Sequence, residues 1–178
     1  LRSDGTLTPV TAADAYGAVL RDGLLILGLR PGETLLAPPT PSYLPMTLLA
    51  TLLCGACLVE LSPEAIDADA AALIRTPASA ALLTTPVRDA LAAAQVGPAR
   101  WKRWFRDPQE PLEPAAWEQA DQRLRLSDIP HANLVWDAAA GGAVLASQLR
   151  RGRLHPYIAP APGCRHLLAE PHGKGPAL

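Results

Sequence analysis

Several things are scarce in this 178-residue sequence, and each scarcity narrows what the chain can be. Aromatic residues make up only 4% of it against 49% hydrophobic residues overall, so its core is built mainly from Ala and Leu. Three cysteines are an odd number, and Cys54 and Cys57 lie inside an apolar run, which argues against an extracellular disulfide framework and predicts buried structural thiols in a reducing, cytoplasmic setting. There is no uninterrupted apolar stretch of about 18 residues, because Pro38, Pro39, Pro41 and Pro45 break the longest one, so no membrane partner is expected. Charge of one sign is missing too: 16 Lys and Arg against 17 Asp and Glu give a net charge of -1, and no global field favours nucleic acid or an anionic surface. No repeat of any period is present. The sequence begins at Leu1 without a basic segment leading into an apolar signal core, and reads as a piece of something longer.

Proline is abundant by contrast, with 19 residues that punctuate the chain. Thr11 is a plausible N-cap before Asp14, and Ala15, Val19, Leu20 and Leu24 recur near helical spacing up to Gly28. Leu29 to Glu33 contains Pro31 followed by Gly32, a turn that feeds the short apolar strand Thr34–Ala37. After the proline loop, Met46, Leu49, Leu52 and Leu53 predict a second helix ending at Gly55, then a strand over Cys57–Leu61. Ser62 and Pro63 open a third helix through Asp67, Ala70, Leu73 and Ile74; Ala80–Thr84 is a third strand and Val87–Gln95 a short helix. Alternation of helix and strand makes residues 1–96 an α/β unit with a mostly parallel sheet flanked by helices.

Residues 97–130 read differently. Trp101, Lys102, Arg103, Trp104, Phe105 and Arg106 are basic and aromatic, and Pro108, Pro111 and Pro114 follow closely, so the stretch is expected to be a connector crossing the surface, with a short helix placing Trp117, Ala120 and Leu124 on one face. Trp101, Arg103, Trp104 and Arg106 are the candidate partner-binding residues; the bland alternative packs the rings on the α/β body and leaves the cations in solvent. Residues 131–178 are expected to be a smaller β-rich part: a strand over Ala132–Trp136, a turn at Gly141 and Gly142 and a second strand, with a helix over Ala138–Leu149 as the alternative that the two glycines disfavour, a turn at Arg151–Arg153, further strands at Leu154–Ile158 and Arg165–Leu168, and a Gly- and Pro-rich tail.

The order Thr8-Pro9-Val10-Thr11, a helix to Leu27-Gly28-Leu29, then Arg30-Pro31-Gly32-Glu33, Leu35-Leu36-Ala37-Pro38 and Pro41-Ser42-Tyr43 resembles the opening of an adenylate-forming enzyme. Leu48–Ala56 is similar to that superfamily's helix ending in a Gly-Ala turn, and Leu58-Val59-Glu60-Leu61-Ser62-Pro63 to its following strand. The resemblance covers roughly residues 5–95. It implies association with acyl or aminoacyl activation, inside a polyketide or peptide synthetase pathway, with a protein partner or adjoining synthetase domains.

Adenylation requires a site that neutralises phosphate charge with backbone N–H groups, hydroxyls, Lys or Arg, and a magnesium ion. In the superfamily this begins with a hydroxyl- and glycine-rich loop followed by Pro-Lys-Gly. The nearest match is the degenerate loop Ala138, Ala139, Ala140, Gly141 and Gly142, where Ala stands in place of hydroxyls and no Lys follows; a plain hairpin turn explains the glycines equally well. The only lysines are Lys102 and Lys174. No catalytic residue, metal ligand or cofactor is therefore assigned, and ATP and magnesium belong only to a reading in which missing residues or another chain complete the site. Cys54 and Cys57 have redox or zinc spacing without a second pair, His155, Cys164, His166 and His172 fit no standard zinc pattern, and Asp14 and Asp22 are expected on solvent-facing helix surfaces. Three readings stand: a truncated adenylate-forming-like domain that is not catalytic alone and serves as scaffold or dock; a fragment of an active ligase; and an unrelated small α/β enzyme using His155 or His166.

Overall fold

The computed structural model describes residues 11–40, 44–95, 97–98, 100–106, 113–137, 142–154 and 158–164. Thr11 caps α1 (Ala12–Arg21) by accepting the Asp14 backbone N–H at 3.1 Å. The helix then widens over Asp22–Ile26, where the Leu27 N–H donates to the Asp22 carbonyl at 2.8 Å. It ends as Gly28 adopts a φ of +62° and the Leu29 N–H reaches the Gly23 carbonyl at 2.7 Å. The expected turn follows: Gly32 has a φ of +78° and the Glu33 N–H donates to the Arg30 carbonyl at 3.0 Å.

From there the chain alternates as expected. Strand β1 (Thr34–Ala37) leads to α2 (Leu44–Cys54), and β2 (Cys57–Glu60) to α3 (Pro63–Arg75), whose cap Ser62 accepts the Ala65 N–H. Then come β3 (Ala80–Leu83), α4 (Thr85–Ala94), β4 (Trp104–Arg106), α5 (Pro114–Leu124), β5 (His131–Asp137), β6 (Gly142–Ala146) and β7 (Ala159–Pro160). One seven-stranded sheet holds them in the order β2-β1-β3-β4-β5-β6-β7. Strands β1 to β5 are parallel, and β6 and β7 are added antiparallel. The fold class is therefore α/β, and the strand-turn-strand reading of the segment after Ala132 holds for β5 and β6.

Four expectations need correction. Residues 97–130 do not behave as a surface connector: β4 is an interior strand between β3 and β5, so the parallel sheet runs across the expected boundary at residue 96 and through the one at 130. The reason is strand alternation, which sends Trp104 and Arg106 to one sheet face and Phe105 to the other, burying all three. Asp22 is completely buried and not on a charged helix face, and Cys57 is exposed, unlike its neighbour Cys54. The strand predicted over Leu154–Ile158 finds no support at its two described ends, neither of which is in a strand. The predicted strand over Arg165–Leu168, the tail, His155, His166, His172 and Lys174 lie outside the described residues.

Both faces of the sheet are covered. On one, Leu36, Ala81, Leu83 and Trp104 join Ile66, Val87, Leu91, Trp117 and Leu124 of α3, α4 and α5. On the other, Leu35, Ala80, Leu82, Phe105 and Leu134 pack with Leu27, Leu29 and Cys54. Helix α5 turns Trp117, Ala120 and Leu124 inward, the face its spacing predicts.

Candidate functional site

The glycine-bearing loop is the site that the sequence singles out. β5 and β6 close onto it, with Trp136 opposite Ala143 and Asp137 opposite Gly142; Ala138, Ala139, Ala140 and Gly141 lie outside the described residues. What holds the loop's exit is a pair that sequence reasoning missed, at the end of α1. The buried Asp22 carboxylate accepts the Ala143 N–H at 2.6 Å on Oδ2 and the Arg21 Nε–H at 2.7 Å on Oδ1. Arg21 in turn donates to the Ala143 carbonyl at 2.7 Å and, through Nη1, to the Pro162 carbonyl and the Cys164 sulfur.

Three separated segments thus meet on two adjacent side chains. They meet closely enough that a Cβ on Gly142 would sit 2.7 Å from Asp22 Oδ2 and 3.0 Å from Arg21 Nη2. Burial raises the Asp22 pKa, an effect that the Ala143 N–H and the Arg21 guanidinium only partly offset. Burial also opposes the Arg21 charge, but the Asp22 carboxylate outweighs it and the guanidinium pKa is raised. The available sequence signal was Arg21-Asp22-Gly23 followed by four apolar residues, a charge pair with no polar face to sit on.

The basic aromatic segment is brought together elsewhere and put to structural use. Trp101, Trp104 and Arg106 are buried, and Arg103 is half-buried. Arg103 donates to the Leu27 and Gly28 carbonyls, both at 2.8 Å, and so satisfies the end of the first helical segment. Trp104 donates to the Leu126 carbonyl at 3.0 Å, stacks on Trp117 with centroids 5.8 Å apart and on His131 at 5.0 Å. Arg106 donates from Nε and Nη2 to Asn133 Oδ1, and the guanidinium groups of Arg88 and Arg106 lie 5.1 and 5.4 Å from the Trp117 ring centroid. Burial lowers the pKa of Arg103, Arg106 and His131. Lys102 is exposed and pairs with Glu33 at 2.7 Å. The docking surface read from this segment is therefore not presented as a surface by Trp101, Trp104 or Arg106: alternation in β4 turns Trp104 and Arg106 inward, and Trp101 is buried in the same core as Trp104.

The chemistry of phosphate transfer finds little here. Alanine side chains at 138–140 offer no donor to a phosphate, and the nearby Arg21 and Asp22 are engaged with each other and with Ala143. Among the described residues no group of three or more His, Cys, Asp and Glu side chains is placed to hold a metal ion. The strand order has its switch point between β1 and β3, the usual ligand crevice of an open α/β sheet; the residues that follow these strands there are Pro38, Pro39, Thr40, Thr84 and Thr85, without a charged side chain. No described helix is long and apolar enough to cross a membrane.

No family model matches the sequence, and no curated protein matches it. Solved structures do match by fold. The anthranilate CoA ligase AuaEII, in complex with anthranoyl-AMP, superposes with a TM-score of 0.69 at 16% identity, over 90% of this chain and 32% of the ligase. The Vibrio cholerae adenylation domain AlmE, in complex with glycyl-adenosine-5'-phosphate, gives 0.58 at 16% identity over 78% of this chain and 26% of its own. The O-succinylbenzoate coenzyme A synthetase MenE from Bacillus subtilis, in complex with ATP and magnesium ion, gives 0.58 at 12% identity, over 77% and 28%. The chain spans less than a third of the length of each of these proteins. Over that span it has the α/β fold of adenylate-forming ligases.

Proposed function

We propose that this chain is a truncated adenylate-forming-like domain, not catalytic by itself, with a scaffolding or docking role in acyl or aminoacyl activation within a polyketide or peptide synthetase pathway of the cytoplasm. Its partner is another protein or an adjoining synthetase domain. The observation that carries the reading is the combination of a ligase fold over most of this chain with a loop whose side chains are alanine where phosphate needs donors. The scaffold of the loop is retained: β5, β6 and the Arg21–Asp22 pair hold its two ends. The groups that would grip a triphosphate are not.

The test is ATP–pyrophosphate exchange over a panel of carboxylic acids, with ATP titrated calorimetrically. No exchange and no ATP binding are expected. Exchange above the rate of a no-enzyme control would overturn the reading. The partial coverage of each ligase favours a second reading, in which the chain is a fragment of an active ligase and the ATP site is supplied by other residues or by a partner chain. Exchange that arises only on adding the complementary ligase portion would select it.

A further inference from the structure

The net charge of -1 hides a polarity. Strands β1 to β5 are parallel, so their N-terminal ends share one rim of the sheet, and β6, which runs the other way, ends at the same rim. Arg30 precedes β1, Arg75 precedes β3, Arg100 and Lys102 precede β4, and Arg123 and Arg125 precede β5; all six are exposed. Arg150, Arg151 and Arg153, exposed as well, follow β6. The Arg150 backbone pairs with His131 at the start of β5, and the Gly152 N–H donates to the Ser127 carbonyl at 2.9 Å, which sets Arg151 and Arg153 beside the turn that carries Arg125.

Among the described residues the acids on this rim are fewer: Glu33, Asp121 and Asp128. Of its cations, only Lys102 and Arg125 are ion-paired among the described residues, to Glu33 at 2.7 Å and to Asp128 at 3.5 Å. At the opposite rim the signs reverse: Glu60, Glu64, Glu113 and Asp137 are exposed, whereas Arg88 and Arg106 are buried. Helix dipoles account for Arg75 and Arg123, which occupy the last turns of α3 and α5. They do not account for Arg30, Arg100, Arg150, Arg151 and Arg153, which lie in no helix. Like charges gathered in this way repel one another, and a partner of opposite sign relieves that repulsion.

We propose that this basic rim docks an acidic protein surface, with the exposed guanidinium groups paired to its carboxylates. All of the rim cations except Lys102 are arginine, whose planar fork matches a carboxylate through two parallel hydrogen bonds. From β1 to β6 the rim spans four strand spacings, about 20 Å, a length that fits a compact acidic patch. The rings of Trp101, Trp104 and Phe105 next to it are buried, so neither base stacking nor insertion of a ring into lipid adds to the charge. The inference gives the docking role a partner chemistry and rests on the proposed function only for the partner being a protein.

Fluorescence anisotropy of a labelled polyglutamate peptide, titrated with the whole chain, tests it. Binding at about 0.02 M salt that weakens toward about 0.2 M is expected. Arg125→Gln/Arg151→Gln/Arg153→Gln is expected to weaken it about tenfold or more with an unchanged far-ultraviolet dichroism spectrum. Ala68→Glu/Ala115→Glu/Gln119→Glu changes the net charge equally at exposed helix positions off the rim and is expected to stay within about threefold of the original. If the first variant fails to fold, Arg30→Gln/Arg100→Gln is expected to weaken binding several-fold in its place. Absence of binding overturns the proposal. So does indifference to the rim variants, an equal loss in the off-rim control, or a preference for duplex DNA or phosphatidylserine vesicles over the peptide. Any of these would remove the rim as a dock and leave the ATP–pyrophosphate exchange result, which tests the proposed function, as it stands.

Discussion

The two faces of the sheet solve the same burial problem in opposite ways. On the α3–α4–α5 face the large side chains point inward: Trp104, Trp117 and His131 stack in a row, and Arg88 and Arg106 lie close to the Trp117 ring. On the α1–α2 face the residues that α2 turns inward, Thr47, Ala50, Thr51 and Cys54, are small, and its leucines point away from the sheet. In a chain with few aromatic residues, the first face concentrates three of its four tryptophans around one strand and is closed by them. On the second, α2 packs by close approach of backbones and leaves its leucines for something else to cover.

That contrast can be broken most forcefully at Trp104. Replacing it with Ala removes a fully buried ring, its two stacking partners and its hydrogen bond to Leu126, and is expected to cost about 3–5 kcal/mol in urea unfolding. A smaller loss would mean that the aromatic row is not what closes this face. On the opposite side, Asp22→Ala leaves the buried Ala143 N–H without its acceptor and is expected to cost about 1–3 kcal/mol. Gly142→Ala drives a methyl group against Asp22 Oδ2 and is expected to cost a similar ~1–3 kcal/mol. Because the clash and the hydrogen bond share one carboxylate, the double variant should lose clearly less than the sum of the two, and strict additivity would refute the shared contact.

The faces also differ in their response to pH, with opposite signs. Burial holds the folded His131 pKa below 6.5, so the unfolded chain takes up a proton that the folded ring refuses, and stability is lost as pH falls below 6.5. Asp22 has a folded pKa above 3.8; here the folded state binds the extra proton, and stability is lost as pH rises from 3.8 through the folded value. His131→Phe is expected to remove the first slope, which is at most about 1.4 kcal/mol per pH unit, and to leave the second unchanged. Stability curves against pH for the two proteins decide this.

Smaller effects refine the comparison. Lys102→Met breaks an exposed pair with Glu33, whose pKa burial pushes up but Lys102 and Ser79 pull below 4.5 on balance. The loss should be about 0.2–1 kcal/mol above pH 4.5 and should disappear as pH falls through the Glu33 value. Leu49→Lys on the outward side of α2 is expected to change the unfolding free energy of the dilute chain by no more than about 0.5 kcal/mol. A loss comparable to that of Trp104→Ala would show that the leucine face is already packed within the monomer.

Much of the first half was legible because local rules and tertiary packing agree there. Arg30-Pro31-Gly32-Glu33 makes its turn through Gly32, Ser62 and Pro63 start α3, and Gly55 ends α2 at a φ of +64°, each by a backbone preference that needs no distant partner. β4 was not legible, because its cationic residues and flanking prolines carry the signature of a surface segment. What buries it is a set of long-range partners: the Leu126 carbonyl for Trp104, Asn133 for Arg106, and the Leu27 and Gly28 carbonyls for the adjoining Arg103. Asp22 was misplaced for the same reason, since its burial rests on the Ala143 N–H, far along the chain, as well as on the neighbouring Arg21. Of the loop at 138–142, the sequence revealed the chemistry of the side chains but not the pair that braces its exit.

The crowding around Gly142 carries a consequence for how such loops are read. A residue hemmed in by a carboxylate and a guanidinium must lack a side chain whether or not any nucleotide ever arrives. Glycine at this hairpin is accordingly a mark of the architecture beneath it, and an inventory of glycines alone would credit the loop with a grip on phosphate that its alanines cannot supply.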